Sequence, residues 1–96
     1  MGEGWLSIPC RIKKDIELAW LLVPNKDTVS AKNMVFSCIY YMYGHMTVGY
    51  LSKFLGVSRV TLHNNLNRHR EKYNQSTVYR KNYDDLWKKL DSTEWQ

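Results

Sequence analysis

Hydrophobic residues recur at helical spacing in the first half of the chain. One set follows steps of 4, 3, 1 and 3 residues and predicts a helix from Arg11 onward that ends at Pro24. A second set follows steps of 1, 3, 1 and 3 residues. Thr28 or Ser30 is suited to cap the start of that helix, and Gly44 is suited to end it in the left-handed conformation. The two sets are Ile12, Ile16, Ala19, Trp20 and Val23, and Met34, Val35, Cys38, Ile39 and Met42.

The second half of the chain predicts three more helices. Thr47 can cap a short helix that runs to about residue 55, and Ser58 can cap a longer one. After a polar break, Thr77 can cap a last helix over residues 77–91. In the helix that Ser58 caps, the residues expected to face inward are Leu62, Leu66 and Tyr73. In the last helix they are Val78, Tyr79, Tyr83, Leu86, Trp87 and Leu90.

These patterns predict an all-α fold. No stretch alternates between apolar and polar residues for long enough to predict a strand. We expect a four- to five-helix bundle that forms a single domain over residues 1–96. Residues 1–10 contain two glycines, Pro9 and Trp5, and are expected to form an extended N-terminal arm.

Composition narrows the class of protein. The chain has 96 residues, of which 44% are hydrophobic, and this is typical of a small folded domain. No apolar run approaches the length of a membrane span, and residues 1–10 lack the pattern of a secretory signal. We therefore expect a cytoplasmic protein with no membrane partner. Cys10 and Cys38 are expected to be reduced thiols, and a single disulfide between them is the alternative.

Positive charge is concentrated in one segment. The net charge of the chain is +5, yet residues 47–83 alone carry seven basic residues against one acidic residue, Glu71. The segments on either side of it are close to neutral or slightly acidic. Such concentration favours a polyanionic partner. A basic face that contacts only solvent is the alternative.

Residues 47–73 carry the pattern of a helix-turn-helix. Leu51 and Leu55 can face the core from the first helix, and Ser52 is small enough for the second helix to cross above it. Gly56 can adopt a positive φ at the turn, and Val57 can fill the elbow. Ser58 can cap the second helix, and Leu62 and Leu66 can face the core from it. The whole pattern is typical of the helix-turn-helix, which places a recognition helix in the major groove of DNA.

At these positions the sequence resembles the DNA-binding C-terminal domain of the bacterial replication initiator DnaA, in the Trp-repressor-like group. In that family the turn and recognition helix typically read Phe-Gly-Gly-Arg-Asp-His-x-Thr-Val. Gly56, Thr61 and the apolar Leu62 match this motif, whereas the turn is one residue shorter and Ser58-Arg59 replaces Asp-His. The resemblance covers residues 30–90 and includes the last helix. It implies a helical DNA-binding domain, without the initiator's ATPase module. The same stretch also resembles helix-turn-helix units of repressors and transposon proteins.

The outward face of the predicted recognition helix supplies candidate DNA contacts. Arginine pairs with guanine and asparagine with adenine, while threonine and valine can contact a thymine methyl group. The candidate base contacts are Ser58, Arg59, Val60, Thr61, His63, Asn64 and Asn67. The candidate phosphate contacts, which include the cap of the short helix and basic residues near the strands, are Thr47, Lys53, Arg68, Arg70 and Lys72.

Other functions find less support in the sequence. His63 and His69 are six residues apart and share no helix face as metal ligands, and Asp84 and Asp85 are adjacent in an exposed segment. We expect no enzyme, no cofactor and no metal. The function expected is sequence-specific binding of double-stranded DNA in a regulatory or mobile-element accessory role. The alternative is a protein-interaction or homodimerisation module, in which exposed aromatics, such as some of Tyr40, Tyr41 and Tyr43 or the terminal Trp5 and Trp95, contact a partner.

Overall fold

The computed structural model describes residues 8–92. This part of the chain is all-helical and contains no strand, which confirms the predicted fold class. Five helices follow in order: α1 (Ile8–Leu22), α2 (Val29–Met42), α3 (Val48–Leu55), α4 (Arg59–Gln75) and α5 (Thr77–Asp91). No helix among the described residues is long and apolar enough to cross a membrane.

Side-chain caps fix where four of the helices begin. In each case a hydroxyl oxygen accepts a hydrogen bond from the backbone N–H three residues later, which satisfies a donor that the helix itself leaves free. Thr28 caps α2, Thr47 caps α3 and Ser58 caps α4, at distances of 3.1, 3.0 and 3.1 Å. The cap of α5 is Ser76, one residue before the expected Thr77, because its hydroxyl accepts from the N–H of Tyr79 at 3.1 Å.

Two predicted boundaries differ from the structure. Helix α1 begins at Ile8, so residues 8–10 are helical instead of part of an extended arm. Pro9 is compatible with this start because the first turn of a helix needs no N–H from it. Residues 1–7 and 93–96, with Trp5 and Trp95, lie outside the described part of the chain.

The end of α2 was also predicted incorrectly. Tyr43 is the C-cap, with φ −114°, and its N–H donates to the carbonyl of Ile39 at 3.0 Å. Gly44 therefore does not adopt the left-handed conformation. Between α1 and α2, Asn25 and Asp27 have positive φ, at 54° and 73°, so this turn uses asparagine and aspartate where glycine is commoner.

Helix α2 is the centre of the core. Every residue from 33 to 39 is buried, and α2 packs against each of the other four helices. The core residues from the neighbouring helices lie at the predicted spacings, and Ile12, Leu51, Leu62 and Leu86 are among the most completely buried. A helix that packs against four others must be apolar over most of its buried surface, and residues 33–39 are mostly apolar, with Asn33 and Ser37 as the buried polar residues. Val78, expected to face inward, is instead 68% exposed, because α5 turns its other apolar residues to the core.

The core also contains a polar pair. Asp15 of α1 is 2% exposed, and the Tyr43 hydroxyl at the end of α2 donates a hydrogen bond to its Oδ2. Burial raises the pKa of the Asp15 carboxyl, and the hydrogen bond from Tyr43 and the charge of Arg11 lower it in part. The bond links the two helices across the interior.

Candidate nucleic-acid interface

Helices α3 and α4 are joined by a turn of three residues, 56–58. Gly56 has φ +73°, a conformation that glycine adopts without strain, and its N–H donates to the Lys53 carbonyl at 3.3 Å. The N–H of Val57 donates to the Ser52 carbonyl at 3.1 Å. Ser52 is buried, and its hydroxyl donates to the Gly49 carbonyl at 2.9 Å. The roles predicted for Gly56 at the turn and for Ser52 as a small buried residue are therefore confirmed.

The inner face of α4 fixes the orientation of the helix. Leu62 and Leu66 are buried, as predicted, with 0% and 1% exposure. Two polar residues, Asn65 and His69, are buried beside them, and the sequence analysis did not identify either. The Asn65 amide donates to the Thr61 carbonyl at 2.9 Å, so this buried amide has a hydrogen-bond partner within its own helix.

The opposite face of α4 is open. Six of the seven candidate base contacts are exposed, and the seventh, Thr61, is half-buried. Val60, Asn64 and Asn67 follow steps of four and three residues and so form one stripe along the helix. Glu71 continues this stripe by a further four residues. An acidic side chain repels phosphate, so the part of the stripe better suited to nucleic acid is the N-terminal half of α4.

Two of the candidate base contacts already take part in the cap of α4. The Ser58 hydroxyl accepts from the Thr61 N–H and donates to the Thr61 hydroxyl at 3.0 Å. Both side chains are therefore held at the start of the helix.

Arg70 is held by two hydrogen bonds. Its Nη1 donates to the Asn67 side-chain oxygen at 3.1 Å, and its Nε donates to the Tyr41 hydroxyl at 3.3 Å. The oxygen of Asn67 is thus occupied, while the asparagine at position 64 has no such neighbour among the described residues. Of the two amides on the stripe, Asn64 is the more available for an external contact.

One group of candidate phosphate contacts gathers at the start of α3. A shallow depression is lined by Thr47, Gly49, Lys53 and Arg59. Arg59 reaches this group because its aliphatic stem lies over α3, so closely that a Cβ on Gly49 would be 3.3 Å from Arg59 Cδ. Two cations and the first turn of a helix therefore face the same space, which favours an anion.

A second group lies on the other side of α4. Arg68 and Lys72 line a depression with Ser30 and Asn33 of α2 and with Glu71. The structure thus separates the five predicted phosphate contacts. Thr47 and Lys53 lie on one flank of α4, Arg68 and Lys72 on the other, and Arg70 at the edge of the stripe beside Tyr41.

His69 is the polar residue of α4 with the strongest electrostatic perturbation. Its Nδ1 lies 2.8 Å from the Tyr79 hydroxyl, and its ring centroid lies 4.3 Å from that of Tyr83. Burial, with a contribution from the charge of Arg70, lowers the pKa of His69 to about 4. The ring is therefore neutral near pH 7. The spacing 62, 66, 69 is that of the inner face, and this signal predicts the burial of His69.

Across residues 8–92, no group of three or more histidine, cysteine, aspartate or glutamate side chains is placed to hold a metal ion. Comparison of the chain with protein-family models, with curated proteins and with solved structures gave no match. The function is therefore inferred from the arrangement of α3 and α4.

Proposed function

We propose that α3 and α4 form a helix-turn-helix and that the protein binds double-stranded DNA with the N-terminal half of α4 in the major groove. The observation that carries this proposal is the exposed stripe of Val60, Asn64 and Asn67 with a pair of cations on each side of it. A helix that enters the major groove needs an accessible face with phosphate-binding groups on both flanks, because a DNA strand borders each side of the groove.

The phosphate contacts in this complex follow from the two flanks. Thr47, Lys53 and Arg59 face one strand from the start of α3, and Arg68 and Lys72 face the other from the second flank. From its place at the start of the helix, Arg59 was predicted to contact a base. Its position over Gly49, together with Lys53, favours a phosphate contact instead.

Base contacts fall to the residues of the stripe. The Asn64 amide is suited to adenine, whose major-groove edge offers one donor and one acceptor. Val60 is 68% exposed, and an exposed apolar side chain beside Asn64 fits the methyl group of thymine. His63 is exposed toward the flank that holds Arg59 and can add a further contact.

The proposed biological role is inferred from the resemblance of residues 30–90 to known DNA-binding domains. We propose a regulatory or mobile-element accessory protein of the cytoplasm, and the resemblance to the DNA-binding domain of DnaA supports it through Gly56, Thr61 and Leu62. That resemblance concerns the helical scaffold more than the base contacts, because only Thr61 is shared among the candidate base-contacting positions.

Selection of bound sites from random duplex DNA tests the proposal. Enrichment of a defined site is expected. Asn64→Ala should then weaken binding to that site by about 1–3 kcal/mol and leave binding to a scrambled duplex unchanged. Asn74→Ala is the matched control, since Asn74 is an exposed asparagine about 15 Å further along the same helix. Failure to enrich any site, or equal losses by Asn64→Ala on both duplexes, would contradict base recognition through the stripe.

A further inference from the structure

A cavity of about 460 Å³ opens between α2, α4 and α5, away from the start of α4. Its walls include three aromatic side chains, Tyr41, Tyr73 and Trp87, one from each helix. Tyr41 is 43% exposed, and the other two are half-buried. Sites for small molecules have this range of volume and are lined mainly by aromatic and apolar side chains.

Two buried polar side chains also line the cavity. His69 is 4% exposed and Tyr83 is 7% exposed. The Nδ1 of His69 is engaged by Tyr79, which leaves its Nε2 without a hydrogen-bond partner among residues 8–92. The Tyr83 hydroxyl likewise makes no hydrogen bond to any described residue. Neither atom is among the fully enclosed unpaired polar atoms of the described residues, so both are accessible from the cavity and can form a hydrogen bond with a ligand there.

Charge at the cavity is balanced. Arg70 and Asp84 both line it, one positive and one negative. Both are also engaged, since Arg70 Nε donates to the Tyr41 hydroxyl at 3.3 Å and Asp84 Oδ1 accepts from the Tyr73 hydroxyl at 2.9 Å. Because the two charges are opposite and both are engaged by tyrosine hydroxyls, neither sign dominates the lining and no net charge selects a cation or an anion. The lining therefore favours an uncharged ligand.

We propose that this cavity binds an uncharged, planar nitrogen heterocycle of about the size of a purine. Aromatic walls favour a planar ring system, which stacks on or packs against them edge to face. The ring nitrogens of such a ligand supply the missing partners of His69 Nε2 and the Tyr83 hydroxyl. The cavity shares Arg70 with the candidate phosphate contacts but no residue with the stripe of Val60, Asn64 and Asn67, so ligand binding can be tested without DNA.

Titration of the full-length, isotope-labelled protein with adenine, followed by two-dimensional NMR, tests the proposal. Saturable shifts are expected at Tyr73, Asp84 and the indole N–H of Trp87, but not at Asn64. Adenine is added up to about 5 mM, which resolves a Kd of about 1 mM. Cyclohexanol, a non-planar ring with one hydroxyl, should produce no saturable shifts at the same residues.

Two variants test whether the shifts arise from adenine bound in the cavity. Tyr83→Phe removes only the buried hydroxyl, and Tyr41→Ala removes an exposed wall, so both variants should fold. Each should weaken adenine binding by about two- to tenfold. Tyr50→Phe is the control, because it loses a tyrosine hydroxyl on α3, outside the cavity. The affinity of this variant for adenine should equal that of the parent protein.

Several results would overturn the proposal. These are no saturable shift with adenine, equal shifts with cyclohexanol, or an unchanged affinity in both Tyr83→Phe and Tyr41→Ala. Shifts at Tyr73 and Trp87 that appear when the protein alone is concentrated would show that a second copy of the chain occupies the cavity instead.

Discussion

Acid should destabilise this protein through one histidine. The His69 ring is 4% exposed, is bonded to the Tyr79 hydroxyl and is neutral in the folded state, with its pKa lowered to about 4. In the unfolded chain the same ring has its ordinary pKa of 6.5. Between these two values the unfolded state binds a proton that the folded state does not. The stability contribution is therefore complete above pH 6.5 and is lost as the pH falls toward 4.

The magnitude follows from the two pKa values. A difference of one pH unit corresponds to 1.36 kcal/mol, so the full loss between pH 6.5 and 4 is about 3 kcal/mol. About 2 kcal/mol of it should be lost between pH 7.5 and pH 5. Asp15 acts in the opposite sense, because its raised pKa favours the protonated carboxyl in the folded state and so favours folding as the pH falls.

The assay compares variants instead of absolute stabilities. Urea unfolding at pH 7.5 and pH 5 gives the free energy of unfolding of the parent and of His69→Phe, which keeps an aromatic ring in the cluster but cannot take up a proton. The contribution of Asp15 is common to both proteins and cancels. His63→Gln, an exposed histidine on the same helix, is the control and should lose as much stability in acid as the parent.

Equal losses by the parent and by His69→Phe between pH 7.5 and pH 5 would refute the reasoning. His69 would then be charged in the folded state, or unburied. The variant is expected to be less stable at both pH values, because the Tyr79 hydroxyl loses its partner, so only the difference between the two pH values is diagnostic.

Two further predictions concern stability. Leu62→Ala should reduce the free energy of unfolding by about 2–4 kcal/mol in urea denaturation, because the side chain is fully buried. Val60→Ala, at an exposed position on the same helix, should change it by less than about 0.5 kcal/mol. Similar values for the two variants would show that the orientation assigned to α4 is wrong. Gly56→Ala should cost about 1–2 kcal/mol because its φ of +73° is strained for alanine, although a Cβ there meets no atom within 4 Å. Gly44→Ala, at a glycine without positive φ, should be close to neutral, and an equal loss would show that φ is not the cause.

The helices could be predicted from the sequence because their inner faces repeat at helical spacing and three of their caps stand just before them. Leu51, Leu62 and Leu66 are buried as expected, and Gly56 has the expected positive φ. Some failed predictions were local, such as the start of α1 and the conformation of Gly44, and others concerned which residues face the core. Val78 was predicted to face inward because it is apolar, yet it points about 100° away from Tyr79 around α5, and on that side of α5 it is 68% exposed.

The buried polar residues were missed because the hydrophobic pattern shows which positions face inward but not which partners a polar side chain finds there. Asp15 and His69 both fall on inner faces, three residues after Ile12 and Leu66 respectively, but their burial depends on partners distant in sequence. Tyr43 lies 28 residues from Asp15, and Tyr79 lies 10 residues from His69. The pairing of Arg70 with Tyr41, 29 residues away, and the reach of Arg59 over Gly49 likewise depend on tertiary structure, whereas the sequence distinguished Arg59 from Arg70 only by position along the helix.

The most direct test of the account is the salt dependence of binding to duplex DNA. Lys53, Arg59, Arg68, Arg70 and Lys72 offer about five phosphate contacts, so a plot of log K against log salt concentration should have a slope of about −4 to −5. Fluorescence anisotropy on a labelled duplex between about 50 and 200 mM salt measures it. A steep slope of this size would support capture of DNA by both flanks of α4. No binding at about 50 mM salt, or binding without salt dependence, would contradict it and favour a module that contacts another protein.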